Sequence, residues 1–254
     1  MRGKLRELIA WEVQDNWAFP ILELVIAITI IQVMPIVSLT RGHGEVARPF
    51  FEAMLFILVI STAIVFGRSF GEGIEKRKLI VLLSYPVSRT RVFVAKYLAN
   101  LLTIFLIFGS VLLAEGVSLF MFDNRFPLVI WGFMFLYLFL AVFFTSSLMT
   151  FITLAVKRFG LSVLILLICI FGMEYWLSPP RTFINNPIAY LSLNLGPYSS
   201  VVYSYTWYCN TLNIGIARSG VTQTFFLTAL GYVLGGGLIL LLASLFLINR
   251  IDLD

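Results

Sequence analysis

LVIWGFMFLYLFLAVFFTSSLMTFITLAV, residues 128–156, is an uninterrupted apolar run without a charged side chain. A helix needs about 20 such residues to cross the roughly 30 Å hydrocarbon core of a bilayer. A membrane-spanning β-strand would instead alternate apolar and polar residues over about ten positions. Because this run is long and does not alternate, it predicts a transmembrane helix.

Further apolar runs extend this interpretation to the whole chain. They cover residues 17–39, 50–67, 92–122, 161–178 and 223–248. Apolar residues make up 60% of the chain and the mean hydropathy is +0.97, which is more than a water-soluble domain buries in one core. The sequence predicts an all-α polytopic membrane protein, a single transmembrane domain over residues 1–254 with six transmembrane helices.

The basic residues predict the orientation of these helices. Of the 18 Lys and Arg residues, 13 fall in the N-terminus, the second and fourth loops and the C-terminus, whereas five fall in the other loops. By the positive-inside rule, both ends are therefore expected on the cytoplasmic side of the cell membrane. Topology then accounts for the basic pI, and no nucleic-acid partner is expected. The five residues on the opposite side are Arg41, Arg48, Arg125, Arg181 and Arg218.

Residues 1–16 predict an amphipathic elbow helix that lies in the membrane interface before the first span. Leu5, Leu8, Ile9 and Val13 fall on one helical face, as expected of a helix that lies in the interface plane. A frayed cytoplasmic tail is the alternative.

The loop at residues 68–90 carries the most informative pattern. In GRSFGEGIEKRKLIVLLSYPVSR, residues 67–89, the charged residues 75–78 precede an apolar run at 79–83 that is too short to span a bilayer. Pro86 must end a helix there, and Ser88 or Thr90 can cap the third span. The loop predicts a short helix under the membrane, on which a cytoplasmic partner could press.

Residues 179–222 form the one long external segment, and it is rich in aromatic residues. Such side chains favour the membrane interface. The segment is either a cap over an exit path or a belt of interfacial anchors. The clustered aromatic residues are Tyr190, Tyr198, Tyr203, Tyr205, Trp207 and Tyr208.

Three carboxylates, Glu52, Glu115 and Glu174, fall toward the external ends of spans two, three and five. Ionisable residues near the membrane are costly and therefore candidates for function. They could ring an outer vestibule that favours cationic or zwitterionic cargo. Alternatively, each reaches the interface or pairs with a nearby arginine.

Catalytic motifs are absent from the sequence. There is no Gly-rich phosphate loop followed by Lys-Ser or Lys-Thr, a single histidine, His43, and two cysteines without metal-ligand spacing. We therefore expect no enzymatic activity, no metal site and no cofactor in this chain.

Taken together, these features resemble the permease subunits of the type-2 family of ABC transporters, which are mostly exporters. The resemblance rests on the elbow, the six spans, an acidic residue followed by LLSYPVSR at residues 82–89, Lys96, and the external segment before the sixth span. One departure is visible: the Gly-Thr pair frequent in the family is Arg77-Lys78 here.

The resemblance implies a coupling helix between spans two and three that docks on a separate cytoplasmic ATPase, which binds ATP and Mg. It also implies a second, identical or homologous permease, with spans one, two and five lining the path between the two chains. Surrounding lipid is a further partner. The implied ATPase-coupling residues are Glu75, Lys76, Arg77, Leu82, Leu83, Pro86, Ser88, Arg89 and Lys96.

The sequence leaves other functions open. A self-contained secondary transporter or channel would be expected to show internal repeats, and residues 1–127 and 128–254 are not similar. An ABC-type scaffold that transmits force to an external enzyme is also compatible with this topology. The few polar residues at mid-depth favour lipidic, hydrophobic or mechanical work over transport of a large hydrophilic sugar.

Overall fold

The computed structural model describes residues 7, 9–10, 13–14, 47–84, 88–122, 128–177 and 223–250. All regular structure within these ranges is helical, which confirms the predicted all-α class for this part of the chain. Four of its helices are long and apolar enough to cross a membrane. The predicted first span at 17–39 and the aromatic segment at 179–222 lie outside the described residues.

The helices follow the predicted apolar runs closely. The run at 128–156 is helical over its full length, and the others differ from the prediction by a few residues at their ends. The helices are α1 (Ala47–Phe66), α2 (Lys78–Ser84), α3 (Arg89–Phe122), α4 (Leu128–Val156), α5 (Phe159–Leu177) and α6 (Gln223–Asn249).

Only a few residues of the predicted elbow, within 1–16, are described, and they are helical. Ile9 and Val13, from the predicted apolar face, are partly buried, whereas Glu7 and Gln14 are exposed. The placement of this helix in the membrane interface stays a prediction.

The rod that begins with α1 does not end at residue 67, where the predicted span ends. It continues as a π-helical segment, Gly67–Glu72, and a last turn, Gly73–Glu75. Gly67, Phe70 and Gly71 are buried in this segment, so packing maintains helical structure beyond the apolar run. Glu75 therefore belongs to the end of this rod and not to the start of the short helix.

The rod ends at Arg77, which has a left-handed backbone with φ 57°. The N–H of Lys76 donates to the carbonyl of Glu72 (2.8 Å), and that of Arg77 donates to the carbonyl of Ile74 (3.0 Å). A single left-handed residue after the last turn is a common way to end a helix. The chain turns here, and α2 starts at the next residue.

Helix α4 is central and contacts α1, α3, α5 and α6. Its buried hydroxyls are paired: Thr145 and Thr150 each donate to a carbonyl one turn earlier (2.7 Å). The Tyr97 hydroxyl of α3 lies 2.9 Å from that of Ser146 and 3.1 Å from that of Ser147. Such pairing is what a helix core without water requires.

Glycines allow the closest helix contacts. A Cβ added at Gly71 would lie 3.0 Å from the Cα of Phe159, and one at Gly237 would lie 2.5 Å from the ring of Phe143. At Gly231 and Gly235 an added Cβ meets no atom within 4 Å. The first two glycines therefore set helix separations, as small residues do in membrane bundles, whereas the other two do not.

Candidate functional site

Helix α2 lies at one end of the bundle, together with residues 157–158 between α4 and α5 and with Arg250; we call this the basic end. At seven residues and about 1.5 Å per residue, α2 cannot cross a membrane. Its Leu79 is fully buried, and Leu82 is half-buried. Val81, on the opposite face, is 54% exposed. The helix therefore packs on the bundle through the face that carries Leu79 and Leu82, and the face that carries Val81 lies at the protein surface.

Glu75, just before α2, is bonded to the start of α5. Its carboxylate Oε1 accepts a hydrogen bond from the backbone N–H of Phe159 at 3.2 Å. Phe159 is the first residue of α5, and the N–H groups of a first helical turn have no partner within their own helix. A carboxylate there also complements the positive end of the helix dipole. Glu75 thus caps a helix 84 residues away in the chain.

Arg89, just after α2, is bonded to the end of α6. Its Nη1 donates a hydrogen bond to the carbonyl of Asn249 at 3.0 Å, across 160 residues of sequence. Asn249 is the last residue of α6, where carbonyls lack helical partners and a cation complements the dipole. Arg89 therefore does at a helix C-terminus what Glu75 does at an N-terminus.

These two contacts bracket α2. Before α2, a carboxylate at the end of the rod is bonded to α5, and after α2, a guanidinium at the start of α3 is bonded to α6. Each is a charge-assisted hydrogen bond to backbone, which is stronger than a neutral one. A displacement of α2 would therefore act on the ends of two long helices at once.

Glu72 and Lys76 contrast with this arrangement. The Lys76 Nζ lies 2.8 Å from the Glu72 carboxylate, and the Arg68 Nε lies 3.9 Å from it, each one turn away from Glu72 on a single rod. Exposed pairs of this kind stabilise a helix only slightly. These two ion pairs lie within the rod and do not join it to another helix. Glu75, only three residues after Glu72, does make such a connection.

Lys96 is inside the protein. Its side chain is 6% exposed, and its Nζ donates to the Ser69 hydroxyl at 3.3 Å. Ser69 belongs to the π-helical segment, so this contact joins that segment to α3. The structure places Lys96 where it supports the rod before α2, and it places Lys76 and Arg77 at the surface.

The other predicted residues are distributed as follows. Ser88 lies at the start of α3, where its carbonyl accepts the N–H of Arg91 at 2.9 Å. Leu83 lies in α2, but its side chain, like all of Pro86, is outside the described residues.

The predicted outer vestibule stays a prediction. Glu52, Glu115 and Glu174 lie in α1, α3 and α5, on the halves of these helices far from the basic end. Their side chains are outside the described residues. Across the described ranges, no group of three or more His, Cys, Asp or Glu could hold a metal ion.

Three residues of the site, Phe159, Asn249 and Val81, were not predicted from the sequence. The first two act through backbone atoms, which leave no residue-type signal. Val81 could have been found, because three-residue and four-residue spacing from Leu79 puts Leu82 and Leu83 on one face and leaves Val81 on the other. That spacing was present in the sequence.

Arg77→Gly is expected to stabilise the protein by about 1 kcal/mol, because the left-handed conformation at φ 57° strains a residue with a Cβ. Thermal unfolding of the purified protein in detergent measures this, with a rise of about 3 °C expected. Arg77→Ala is the control, since it removes the same charge but keeps the Cβ. Equal shifts for both variants would show that charge, not backbone strain, determines stability here.

No known protein family, no curated protein and no solved structure matches this chain.

Proposed function

We propose that this chain is the membrane-spanning permease subunit of an ATP-binding-cassette transporter. It works in export as a dimer with a second permease and is driven by separate cytoplasmic ATPase subunits, with both chain ends in the cytoplasm. The observation that carries the proposal is the position of α2, a short surface helix fixed at its two flanks to the ends of α5 and α6.

The exposed face of α2 suits a docking partner. Val81 offers an apolar contact at its centre, and Lys76, Arg77 and Lys78 are exposed at its start. An apolar contact with charged residues at its edge is a common composition of a protein interface. In the proposed orientation this face meets the ATPase.

The backbone at Arg77 supports the resemblance on which the proposal draws. Arg77 takes the place of the glycine in the family's frequent Gly-Thr pair, and its φ of 57° is one that glycine adopts without cost. A glycine at this position would serve the same helix-ending turn.

Movement of α2 would then reach the bundle by three routes. Glu75 transmits it to α5, which the resemblance assigns to the path, Arg89 transmits it to α6, and the rod through the π-helical segment transmits it to α1. Packed helices move as units because protein interiors are dense. A push on one short helix would thus tilt several spans together.

Co-purification tests the proposal. When the tagged chain is expressed with its genomic neighbours, we expect an ATPase to be retained, and Val81→Glu to reduce that retention about tenfold by placing a charge in the apolar contact. Thr90→Glu is the matched control, because Thr90 is exposed in the first turn of α3, where a carboxylate is favourable. Failure of the wild-type chain to retain any ATPase would contradict the proposal.

The same preparation separates the remaining functions. A self-contained transporter would retain no ATPase and would respond to an ion gradient. A force-transmitting scaffold would stimulate the ATPase after reconstitution but move no substrate.

A further inference from the structure

The cations of the basic end fall into two groups. Several have partners within the protein: Arg68 and Lys76 meet Glu72, Arg89 meets Asn249, Lys96 meets Ser69, and Arg250 lies over the Phe246 ring at 4.3 Å. Among the described residues, Arg77, Lys78, Arg91, Lys157 and Arg158 are exposed and have no ion pair or side-chain hydrogen bond. Of these, Lys157 and Arg158 lie directly before α5.

Lys157 and Arg158 form the whole connection between α4 and α5; we call them the α4–α5 corner. The corner is held in shape by backbone contacts. The N–H of Lys157 donates to the carbonyl of Thr153 (2.8 Å), and both the N–H and the hydroxyl of Ser162 donate to the carbonyl of Arg158 (3.1 and 2.6 Å). The two side chains are thus free to bind an anion while their backbone stays fixed.

An apolar stripe on α5 begins directly after the corner. Its members are 40–62% exposed and recur at helical spacing, so they lie along one face. The stripe runs for about 15 Å at 1.5 Å per residue, which is about half the hydrocarbon thickness of a bilayer. The stripe consists of Leu161, Leu164, Ile168 and Phe171.

The geometry points to a binding site for an anionic phospholipid of the cytoplasmic leaflet at the α4–α5 corner. The phosphate lies between the Lys157 and Arg158 side chains, and the acyl chains lie along the stripe on α5. Basic side chains at the cytoplasmic end of membrane helices attract anionic headgroups. The site requires the proposed orientation, with this face of α5 turned to lipid and not to the second permease, but it does not require the proposed ATPase.

The continuity of charge and stripe favours a lipid over a protein partner. The two cations lie at the head of a helix face that has the dimensions of an acyl chain, whereas among the described side chains of α2 only Val81 is a strongly exposed apolar residue. A bound headgroup would also lie close to the Glu75–Phe159 hydrogen bond, since Phe159 follows Arg158 directly. Lipid composition would therefore act on the contact that joins α2 to α5.

Lipid retention tests this site on the purified full-length chain. In nanodiscs of phosphatidylcholine with a minor fraction of phosphatidylglycerol, native mass spectrometry is expected to show retained phosphatidylglycerol. Lys157→Gln/Arg158→Gln is expected to reduce that retention about tenfold. Arg68→Gln/Lys76→Gln is the matched control, because it removes two charges that already pair with Glu72. The control is expected to retain the lipid.

Further measurements identify the ligand. Arg158→Gln alone is expected to reduce phosphatidylglycerol retention by a smaller factor. This single variant provides the test if the double variant does not fold. Glycerol 3-phosphate in solution is expected not to compete with the lipid, since it lacks the chains that contact α5. Equal loss in both double variants would overturn the proposal by showing a diffuse charge effect. The proposal would also be overturned if Lys157→Gln/Arg158→Gln retained as much phosphatidylglycerol as the wild-type chain. A loss of ATPase binding without a loss of lipid would overturn it as well.

Discussion

In the proposed transporter, Glu75→Ala is expected to lower ATP-driven turnover by about tenfold or more, while the proposed ATPase partner stays bound. The substitution removes the carboxylate that accepts the Phe159 N–H and leaves the exposed face of α2 unchanged. Loss of a helix-capping contact costs about 1 kcal/mol, so the protein still folds. A large effect is expected because the rod before α2 then keeps only its packing on α5, with Gly71 against Phe159, and loses its hydrogen bond to that helix.

Two measurements check this prediction in the purified complex. ATPase rate and substrate movement give the coupling, and hydrogen exchange of the first amides of α5 reports the contact itself, with faster exchange expected at Phe159. Glu75→Gln keeps an oxygen that can accept the bond and is expected to lose less. Glu72→Ala is the matched control, because that carboxylate pairs only within its own rod in the described structure.

The same logic applies on the other side of α2. Arg89→Ala is expected to reduce coupling because it removes the donor to the Asn249 carbonyl. Arg91→Ala removes an exposed arginine two residues later and is expected to have little effect. Coupling that survives loss of Glu75 and Arg89 together would show that α2 acts on the bundle through the rod alone.

Gly71→Val is expected to destabilise the protein by about 3 kcal/mol. A Cβ at this position would lie 3.0 Å from the Cα of Phe159 and 3.1 Å from Cγ2 of Thr153. The first of these atoms is backbone and cannot rotate away, so the π-helical segment would have to separate from α4 and α5. Unfolding in detergent measures the loss, and a reduced yield of monodisperse protein should accompany it.

Gly231→Val is the control for that substitution. Gly231 lies in the interior of α6, where an added Cβ meets no atom within 4 Å, and valine has a slightly higher helix propensity than glycine. The expected change is within about 0.5 kcal/mol. Comparable destabilisation at both positions would mean that side-chain bulk in the helices, and not the close contact at Phe159, causes the loss.

The sequence predicted the long helices well because their signal is local. Residues 128–156 contain no charge and no alternation, so α4 was predicted with its observed ends. The end of the rod was harder to predict. Apolar content falls after residue 67, but burial of Phe70 between two glycines maintains helical structure up to Glu75.

The site was only partly predictable, since its contacts join distant parts of the chain. The sequence singled out Glu75 and Arg89, but their partners are backbone atoms 84 and 160 residues away. Lys96 was singled out through the resemblance as a coupling residue, and the structure buries it against Ser69, 27 residues earlier. Residue type identified these positions, and only the folded arrangement gives their contacts.

The π-helical segment at Gly67–Glu72 also determines the rotational phase of everything that follows it. A π-type turn accommodates one more residue than an α-type turn, and one residue corresponds to about 100° of rotation around a helix axis. Deleting a single residue here would keep the rod helical but turn Glu75 away from α5. The segment thus sets the angle, around the helix axis, between the packed face of α1 and the direction in which Glu75 points.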